Sequence, residues 1–164
     1  MSEKILEILE KIPYSVSVVT VGRGGVESAL TTSWLSQVSF DPPLVMVAIA
    51  KVHHSAQFPP STKNFVLNLL RPGQEKLAGH FARESYSGED KFANVPTRTA
   101  PSGAAILEEA LAYFDCEVEA VHTAGDHLLV IGRVEDAGLL HDGEPLTTAC
   151  GLKYRKSRGK PVGR

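Results

Sequence analysis

The chain has 164 residues, of which 43% are apolar and 22% charged, values typical of one globular domain. Its longest uninterrupted apolar run, residues 44–50, is far shorter than the roughly 20 residues that a membrane-spanning helix needs. The acidic N-terminal residues lack the apolar stretch of a secretory signal, and two cysteines are too few for a disulfide framework. The sequence therefore predicts a cytoplasmic protein that does not enter a membrane.

The net charge of −2 is unevenly distributed along the chain. Residues 153–164 carry six basic side chains and no acidic one, so residues 1–152 carry 11 basic against 19 acidic side chains, a net charge of −8. A body of that charge repels nucleic acids and anionic membranes, and we expect neither as a partner. Because short basic termini are usually solvated, we predict a basic tail at residues 155–164 after a single domain at residues 1–154.

The hydrophobic periodicity predicts a chain dominated by strands. Apolar residues on one face predict a helix of about three turns that ends at Pro13. Alternation from Tyr14 to Val21 predicts a half-buried strand, and the glycine-rich residues 22–25 predict a hairpin turn. A helix is predicted at residues 74–83, and further strands at residues 26–33, 44–50 (fully buried), 64–70, 111–122, 128–134 and 151–155.

Two segments lack a regular period and are predicted to be loops. One is the hydroxyl-rich segment that follows Ser33 and ends at Pro43. The other runs from Ser85 to Gly103 and has the length of a functional lid or binding loop. Six or seven strands joined mostly by hairpins favour an antiparallel, Greek-key-like β-barrel with two or three helices.

The sequence lacks the signatures of the common catalytic classes. It contains no G-x-x-x-x-G-K-[ST] phosphate loop, no G-x-S-x-G nucleophile motif and no H-E-x-x-H zinc motif. His53 and His54 are adjacent, so on a strand they would point to opposite faces and could not bind one metal ion. We therefore predict no metal site, no NTP hydrolysis and no covalent nucleophile.

Hydroxyl-bearing side chains are concentrated where the second predicted strand ends, at Thr31, Thr32 and Ser33, beside Trp34. Hydroxyls and backbone N–H groups at a strand end suit a phosphate or the edge of a heterocycle. Lys51, just after the buried strand, would add positive charge. A solvated Ser/Thr-rich turn is the alternative, and it is the more common origin of such a composition.

Four short motifs follow one another in order along the chain. They are Ala29–Val45 with its Val-Ser-Phe-Asp-Pro-Pro, Asn64–Leu70, Gly88-Glu-Asp-Lys-Phe92, and Gly125-Asp126-His127 with Gly132 and Val134. Together they resemble the flavin reductase-like family, the FMN-binding split barrels, over about residues 13–154. The Ser-Trp-Leu-Ser-Gln segment at residues 33–37 is especially similar to the flavin reductase domain of flavodiiron proteins. Residues 51–55 and those after Tyr154 depart from the family pattern.

The resemblance implies a flavin reductase that moves a hydride from NAD(P)H to N5 of FMN, or of FAD, and passes the electrons to an acceptor, which can be a protein. It implies a homodimer with the flavin near the subunit boundary. The alternative is a flavoredoxin-like electron-transfer protein that holds FMN and does not turn over nicotinamide. NADH and NADPH both remain open as donors.

The resemblance also implies the residues of a flavin site. Thr31, Thr32, Ser33, Trp34 and Ala50 would line the flavin, Lys51 and Ser55 would approach its phosphate, and Lys91 would close over it. For Trp34, packing is the alternative to stacking on the flavin.

The resemblance also implies that His127 lies beside the nicotinamide. A neutral imidazole there would hydrogen-bond the carboxamide, and its charge would respond near neutral pH. A turn-capping or partly buried histidine is the alternative. His80 is expected on a helix face near the cofactor rim, and Cys116 in the core.

Overall fold

The computed structural model describes residues 3–23, 26–53, 58, 61–83 and 90–150. The tip of the predicted hairpin at residues 24–25, Ser55, part of the predicted lid at 84–89 and the predicted strand at 151–155 lie outside the described residues. The elements are α1 (Glu3–Leu9), β1 (Ser17–Arg23), β2 (Val26–Thr32), β3 (Leu35–Phe40), β4 (Pro43–Ala50), β5 (Asn64–Leu69), α2 (Glu75–Ala82), β6 (Thr97–Thr99), β7 (Ala105–Leu107), β8 (Ala112–Ala124), β9 (His127–Leu139) and a 3₁₀ turn (Thr148–Cys150). In the part of the chain that is described, no helix has the length and apolar character required to cross a bilayer.

Seven strands form one antiparallel sheet in the order β2-β1-β5-β8-β9-β4-β3, and β6 and β7 form a separate two-stranded ribbon. Three hairpins, β1–β2, β3–β4 and β8–β9, supply most of the pairing. The sheet curls until β2 reaches β4, where the Thr32 hydroxyl donates to the Ala48 carbonyl at 3.2 Å. The described edge strands β2 and β3 do not pair with each other, so the predicted split, antiparallel architecture is confirmed.

Apolar side chains fill both sides of the curled sheet. Val47, Phe65 and Val130 are fully buried in the main core inside the curl. Ala78 and Phe81 of α2 cover a second cluster outside it. Burial of each large apolar side chain stabilises the fold by about 1.5–3 kcal/mol. Both faces of the sheet are thereby packed, and this packing supports the strands whose ends carry the candidate site.

The burial of two predicted strands differs from expectation. β1 is buried on both faces, since Val18, Val19 and Thr20 are at most 1% exposed, and the prediction of a half-buried strand is wrong. The reason is that the ribbon covers its outer face, where the Thr20 hydroxyl donates to the Ala105 carbonyl at 2.5 Å. β4 is continuously buried only over residues 47–49, because its first half alternates.

Two predicted loops contain strands. Residues 35–40 form β3, an edge strand whose Ser36 and Gln37 side chains face solvent, which explains its loop-like composition. The second predicted loop contains β6 at residues 97–99, paired with β7.

The first helix is shorter than predicted and ends at Leu9. Most of its apolar residues are exposed: Ile5, Ile8, Leu9 and the following Ile12 are 44–60% accessible. These side chains gain little from burial within this chain, and α1 leaves an apolar surface uncovered.

Candidate functional site

The register between β4 and β9 brings three of the predicted site residues together. Ala50 lies opposite His127, and the next residue, Lys51, reaches the turn before β9. The Lys51 backbone N–H donates to the Asp126 carbonyl at 2.9 Å, and its Nζ donates to the Gly125 carbonyl at 2.7 Å. An exposed cation is therefore held within two residues of the predicted catalytic imidazole.

Trp34 completes this group from a neighbouring element. The Ala48 N–H donates to the Trp34 carbonyl at 2.8 Å, which fixes the tryptophan beside β4. Its indole ring stacks on the His127 ring at 4.6 Å between centroids with a tilt of 34°, while the Tyr14 ring lies 6.3 Å away. The indole remains 45% exposed. We name this group the open site; it consists of Tyr14, Trp34, Ala50, Lys51, Gly125, Asp126 and His127.

The side chain of Asp126 fixes the orientation of the histidine. His127 Nδ1 lies 2.6 Å from Asp126 Oδ1, and the imidazole is 21% exposed. An ionised carboxylate can only accept, so Nδ1 carries the proton, and Nε2 of the neutral ring keeps its lone pair. The open site thereby offers an acceptor nitrogen next to a partly exposed aromatic face. The sequence patterns did not predict a role in the site for Asp126 or Tyr14, although Asp126 is part of the Gly125-Asp126-His127 motif.

The predicted threonines lie on opposite faces of β2. The Thr31 hydroxyl donates to the Ala78 carbonyl of α2 at 2.6 Å, whereas that of Thr32 donates to Ala48 of β4. Both hydroxyl protons are used within the fold, and the oxygens retain lone pairs that can accept from a ligand. Ser33, only 5% exposed, joins this strand end to Trp34.

Lys91 has different surroundings from Lys51. Its side chain is 4% exposed and its Nζ donates to the Arg83 carbonyl just after α2. His80 Nε2 lies 2.7 Å from the Lys91 carbonyl, and an Arg83 guanidinium nitrogen lies 3.4 Å from His80 Nδ1. A cation at a helix C-terminus is favourable because the last carbonyls of a helix have no hydrogen-bond donor within the helix and carry partial negative charge. We name His80, Arg83 and Lys91 the α2 clasp.

Two positions of the last motif require glycine for structural reasons. Gly125 adopts φ +56° in the turn between β8 and β9, a conformation that glycine enters without strain. A Cβ on Gly132 would lie 2.6 Å from the Phe65 ring. The motif therefore shapes the hairpin that presents Asp126 and His127, in addition to supplying those side chains.

The pKa values of Cys116 and Tyr113 are raised for structural reasons. Burial raises the pKa of the Cys116 thiol to about 12, as expected for the predicted core residue. The hydrogen bond to Asp136, at 2.7 Å, raises the pKa of Tyr113. Perturbed pKa values often mark functional sites, but these two groups belong to the packing of the sheet.

One cleft on the surface lies away from the open site. It has a volume of about 210 Å³ and is lined by Glu117, Val118, Glu119 and Arg133. The Arg133–Glu117 ion pair at 2.6 Å crosses it. The volume is below the roughly 300–1,000 Å³ of typical ligand pockets. Within the described ranges, no three metal-ligating side chains converge.

Comparison with known proteins identifies the family. Residues 9–157, nearly the whole chain, match the family described as flavin reductase like domain. The chain belongs to that family. Diflavin flavoprotein A 1 of Synechocystis sp. strain PCC 6803 is 38% identical to this flavin reductase like domain over 138 residues, 84% of the chain. The match covers 24% of that relative, so the chain spans about a quarter of the length of the curated relative.

Solved structures of flavin reductases share the fold of this domain. The NADH:FAD oxidoreductase SgcE6 of Streptomyces globisporus, in complex with NAD and FAD fragments, superposes with a TM-score of 0.82 at 29% identity, covering 95% of this chain and 93% of that one. The flavin reductase HpaC complexed with NADP⁺ has a TM-score of 0.77 at 27% identity, covering 90% and 92%.

Proposed function

We propose that this flavin reductase like domain is an FMN-binding oxidoreductase that moves a hydride from NAD(P)H to flavin N5. The observation that carries the proposal is the open site, in which a half-exposed indole, an oriented imidazole and an exposed ammonium meet at one end of the sheet. Similar proteins described as an NADH:FAD oxidoreductase and as a flavin reductase support the same activity.

The residues of the open site fit a flavin nucleotide in chemical type. Trp34 offers a partly exposed ring face, the β2 hydroxyls offer acceptor oxygens, and Lys51 offers a cation for a phosphate. FMN, or FAD, would be held there by the backbone of Thr31 and by Thr32, Ser33, Trp34, Ala50 and Lys51, with Ser55 as a further proposed phosphate contact. Lys91 is not included in the proposed site, because its side chain is buried and its Nζ donates to the Arg83 carbonyl.

A bound flavin supplies the hydride acceptor, and flavin chemistry needs no protein nucleophile. The chain's own residues bind and orient. His127, held by Asp126, accepts a hydrogen bond from the nicotinamide carboxamide at Nε2. The indole of Trp34 shields one side of His127 from water. His127 is therefore proposed as the residue that aligns the donor.

The reduced flavin passes its electrons to an acceptor, for which a partner protein is the proposed class. Support comes from the relatives called diflavin flavoproteins, in which a domain like this one makes up about a quarter of a longer chain. The alternative is an electron carrier that holds FMN without nicotinamide turnover. The two differ in whether NAD(P)H reduces the bound flavin.

An absorbance spectrum before and after anaerobic addition of NADH and NADPH tests the proposal. We expect flavin bands near ~370 and ~450 nm that bleach with at least one nucleotide. Bands that persist with both would favour the carrier. A colourless protein that leaves the fluorescence of added FMN unquenched would contradict both functions.

We also propose that the chain forms a homodimer. The proposal is supported by apolar side chains that a second copy of the chain would bury. Phe40 is 90% exposed and Val38 49% exposed on edge strand β3, and Ile5 and Ile8 are exposed on α1. Light scattering should give twice the chain mass of 17.7 kDa. Phe40→Glu should lower that mass, whereas Val121→Glu, at another exposed apolar position, should leave it unchanged.

A further inference from the structure

One buried hydroxyl near the open site has no hydrogen bond. Ser17, the first residue of β1, is 0% exposed, and its Oγ has no partner among the described residues. Thr20, on the same strand and equally buried, donates to the Ala105 carbonyl at 2.5 Å. A buried hydroxyl without a partner loses its hydrogen bonds to water and gains none, so it destabilises the fold relative to an alanine. The packing of the sheet therefore does not account for a hydroxyl at this position.

Strand pairing places the Ser17 side chain next to that of Thr32. The two residues lie directly opposite each other in the β1–β2 pair, and such residues project from the same face of a sheet with Cβ atoms about 4.5–5.5 Å apart. On that face the Thr32 hydroxyl reaches the Ala48 carbonyl of β4, and the Ala48 N–H donates to the Trp34 carbonyl. The unpaired hydroxyl is therefore one side chain away from the proposed flavin site.

The backbone at the start of β1 is fixed by the last part of the described chain. The Tyr14 N–H donates to the Thr148 hydroxyl at 3.0 Å, and the Thr148 N–H donates to the Tyr14 carbonyl at 2.8 Å. The Val16 N–H donates to the Leu146 carbonyl at 2.8 Å. The Ser17 hydroxyl therefore gains a partner by rotation of its side chain between staggered positions, without movement of the strand.

The hydrogen bond that holds the Thr32 proton is long. Its O···O distance is 3.2 Å, whereas O–H···O bonds usually measure about 2.5–3.0 Å, and the Thr31 hydroxyl lies 2.6 Å from the Ala78 carbonyl. Thr32 can therefore exchange its acceptor more easily than Thr31. Because a hydroxyl oxygen has two lone pairs, Thr32 can also accept from Ser17 while it donates elsewhere.

We propose that Ser17 and Thr32 form a hydroxyl relay that donates to a ring carbonyl oxygen of the bound flavin. In the relay, Ser17 donates to Thr32 Oγ1, and Thr32 donates to the flavin instead of to the Ala48 carbonyl. Each hydroxyl of the relay then has a partner, and a hydroxyl that accepts a hydrogen bond is a stronger donor. Thr32 touches the ligand, and Ser17 is a positioning residue that acts through it. The inference rests on the proposed function and extends it to a residue to which the sequence patterns assign no role.

The ring carbonyl is the acceptor that gains most from a released proton, because a carbonyl can only accept. The ribityl hydroxyls of a flavin donate as well as accept, so the free lone pair of Thr32 would satisfy them without any exchange. The flavin phosphate has the exposed Lys51 ammonium as its donor. The relay therefore supplies the part of the flavin for which the other proposed contacts provide no hydroxyl proton.

Binding of three flavins to the full chain, freed of flavin, tests the relay. The flavins are lumiflavin, riboflavin and FMN, in which the ribityl chain and then the phosphate are added to one ring system. In fluorescence titrations, Ser17→Ala should weaken the binding of all three about fivefold, the effect of one neutral hydrogen bond. Thr20→Val is the matched control, because it removes a partnered buried hydroxyl from the same strand, and it should leave the three dissociation constants within about twofold of the unmodified protein.

Thermal unfolding without flavin separates the relay from a structural role. Ser17→Ala should leave the melting temperature unchanged or raise it, because it removes an unpaired buried group, whereas Thr20→Val should lower it. A double-mutant cycle measures the coupling of the two hydroxyls. In a Thr32→Val background, Ser17→Ala should cause no further loss of flavin affinity, since Ser17 acts only through Thr32.

Three results would overturn the inference. Unchanged flavin affinity in Ser17→Ala removes the relay, and a loss that persists in the Thr32→Val background shows that Ser17 does not act through Thr32. A loss confined to riboflavin and FMN, or to FMN alone, assigns the donor to the ribityl chain or to the phosphate. The proposed function stands after each of these results if the unmodified protein binds FMN and NAD(P)H reduces it. A protein that binds none of the three flavins contradicts the proposed function and the relay together.

Discussion

The open site and the α2 clasp use the same two residue types in opposite ways. In each, a lysine donates to a backbone carbonyl and a histidine lies close by: Lys51 with His127, and Lys91 with His80. Lys51 is exposed, whereas Lys91 is 4% exposed. His127 leaves Nε2 available beside a half-exposed indole, whereas both ring nitrogens of His80 have partners. The clasp closes a turn onto a helix, and the open site presents its groups outward.

The comparison shows that residue type does not distinguish a ligand site from a structural contact. Burial and the number of internal hydrogen bonds distinguish them, because a donor or acceptor that is already bonded within the protein is not available to a ligand. Substitutions should therefore separate the two regions, with stability effects at the clasp and ligand effects at the open site.

The largest expected effect is on stability at the clasp. Lys91→Met removes the buried ammonium that donates to the Arg83 carbonyl and should lower the free energy of unfolding by about 2 kcal/mol, the value of a hydrogen bond that involves a charged group. The matched Lys51→Met substitution should cost less than about 0.5 kcal/mol, because Lys51 is exposed. Urea unfolding of both variants measures the difference. Equal losses would contradict the contrast between the two lysines.

The next effect concerns flavin reduction. His127→Ala should lower the rate of flavin reduction by NAD(P)H about tenfold, as expected for one lost orienting hydrogen bond, and should leave flavin bound. His80→Ala should leave that rate within about twofold and lower the melting temperature, since His80 ties α2 to the Lys91 carbonyl. Stopped-flow absorbance measures the rates. An unchanged rate in His127→Ala would remove its assigned role.

A smaller effect separates the two threonines. Thr31→Val removes the hydroxyl contact to α2 and should cost about 1 kcal/mol of stability with little change in flavin affinity. Thr32→Val removes the contact to β4 beside Trp34 and should cost a similar amount and also weaken flavin binding. Calorimetry and FMN titration measure both quantities. If the two variants bind FMN equally well, Thr32 does not belong to the flavin site.

The smallest effect is a pH dependence in the core. The pKa of Cys116 is raised from 9.0 to about 12 by burial, so the folded state disfavours the thiolate. The contribution of this group to the free energy of unfolding is fully present below pH 9 and is lost as the pH rises toward 12. At pH 9.5 the loss is less than about 1 kcal/mol. Unfolding midpoints at pH 8 and pH 9.5 should differ more in the unmodified protein than in Cys116→Ala. An equal pH dependence would assign the alkaline loss to other groups, including Tyr113.

The sequence was sufficient for the elements whose burial follows a simple period. β8 and α2 appear close to their predicted ranges because their inward faces repeat every two or every three to four residues, and β5 does so because it is a short apolar run. β9 begins where predicted but extends five residues beyond its predicted end. β3 was missed because it is an edge strand, where serine and glutamine face solvent and resemble a loop. The half-burial predicted for β1 failed because its second cover, the β6–β7 ribbon, comes from residues about 80 positions away.

The grouping of the open site depended on strand register. Trp34, Lys51 and His127 lie far apart in sequence and meet through the pairing of β4 with β9 and through the Ala48–Trp34 hydrogen bond. The sequence motifs identify these residues as site candidates but do not show how far apart they lie in space. Lys91 carries the same charge as Lys51, and its burial could not be inferred from the residue itself.

The mutual hydrogen bonds of Tyr14 and Thr148 have a consequence for the domain as a module. Residues 14–15 and 147–148 are paired at one point of the fold, so segments joined to the domain at these two positions would start next to each other. A circular permutant that links these positions and is opened between the paired residues Arg23 and Val26 should fold. Segments attached at these two positions would begin side by side near Trp34.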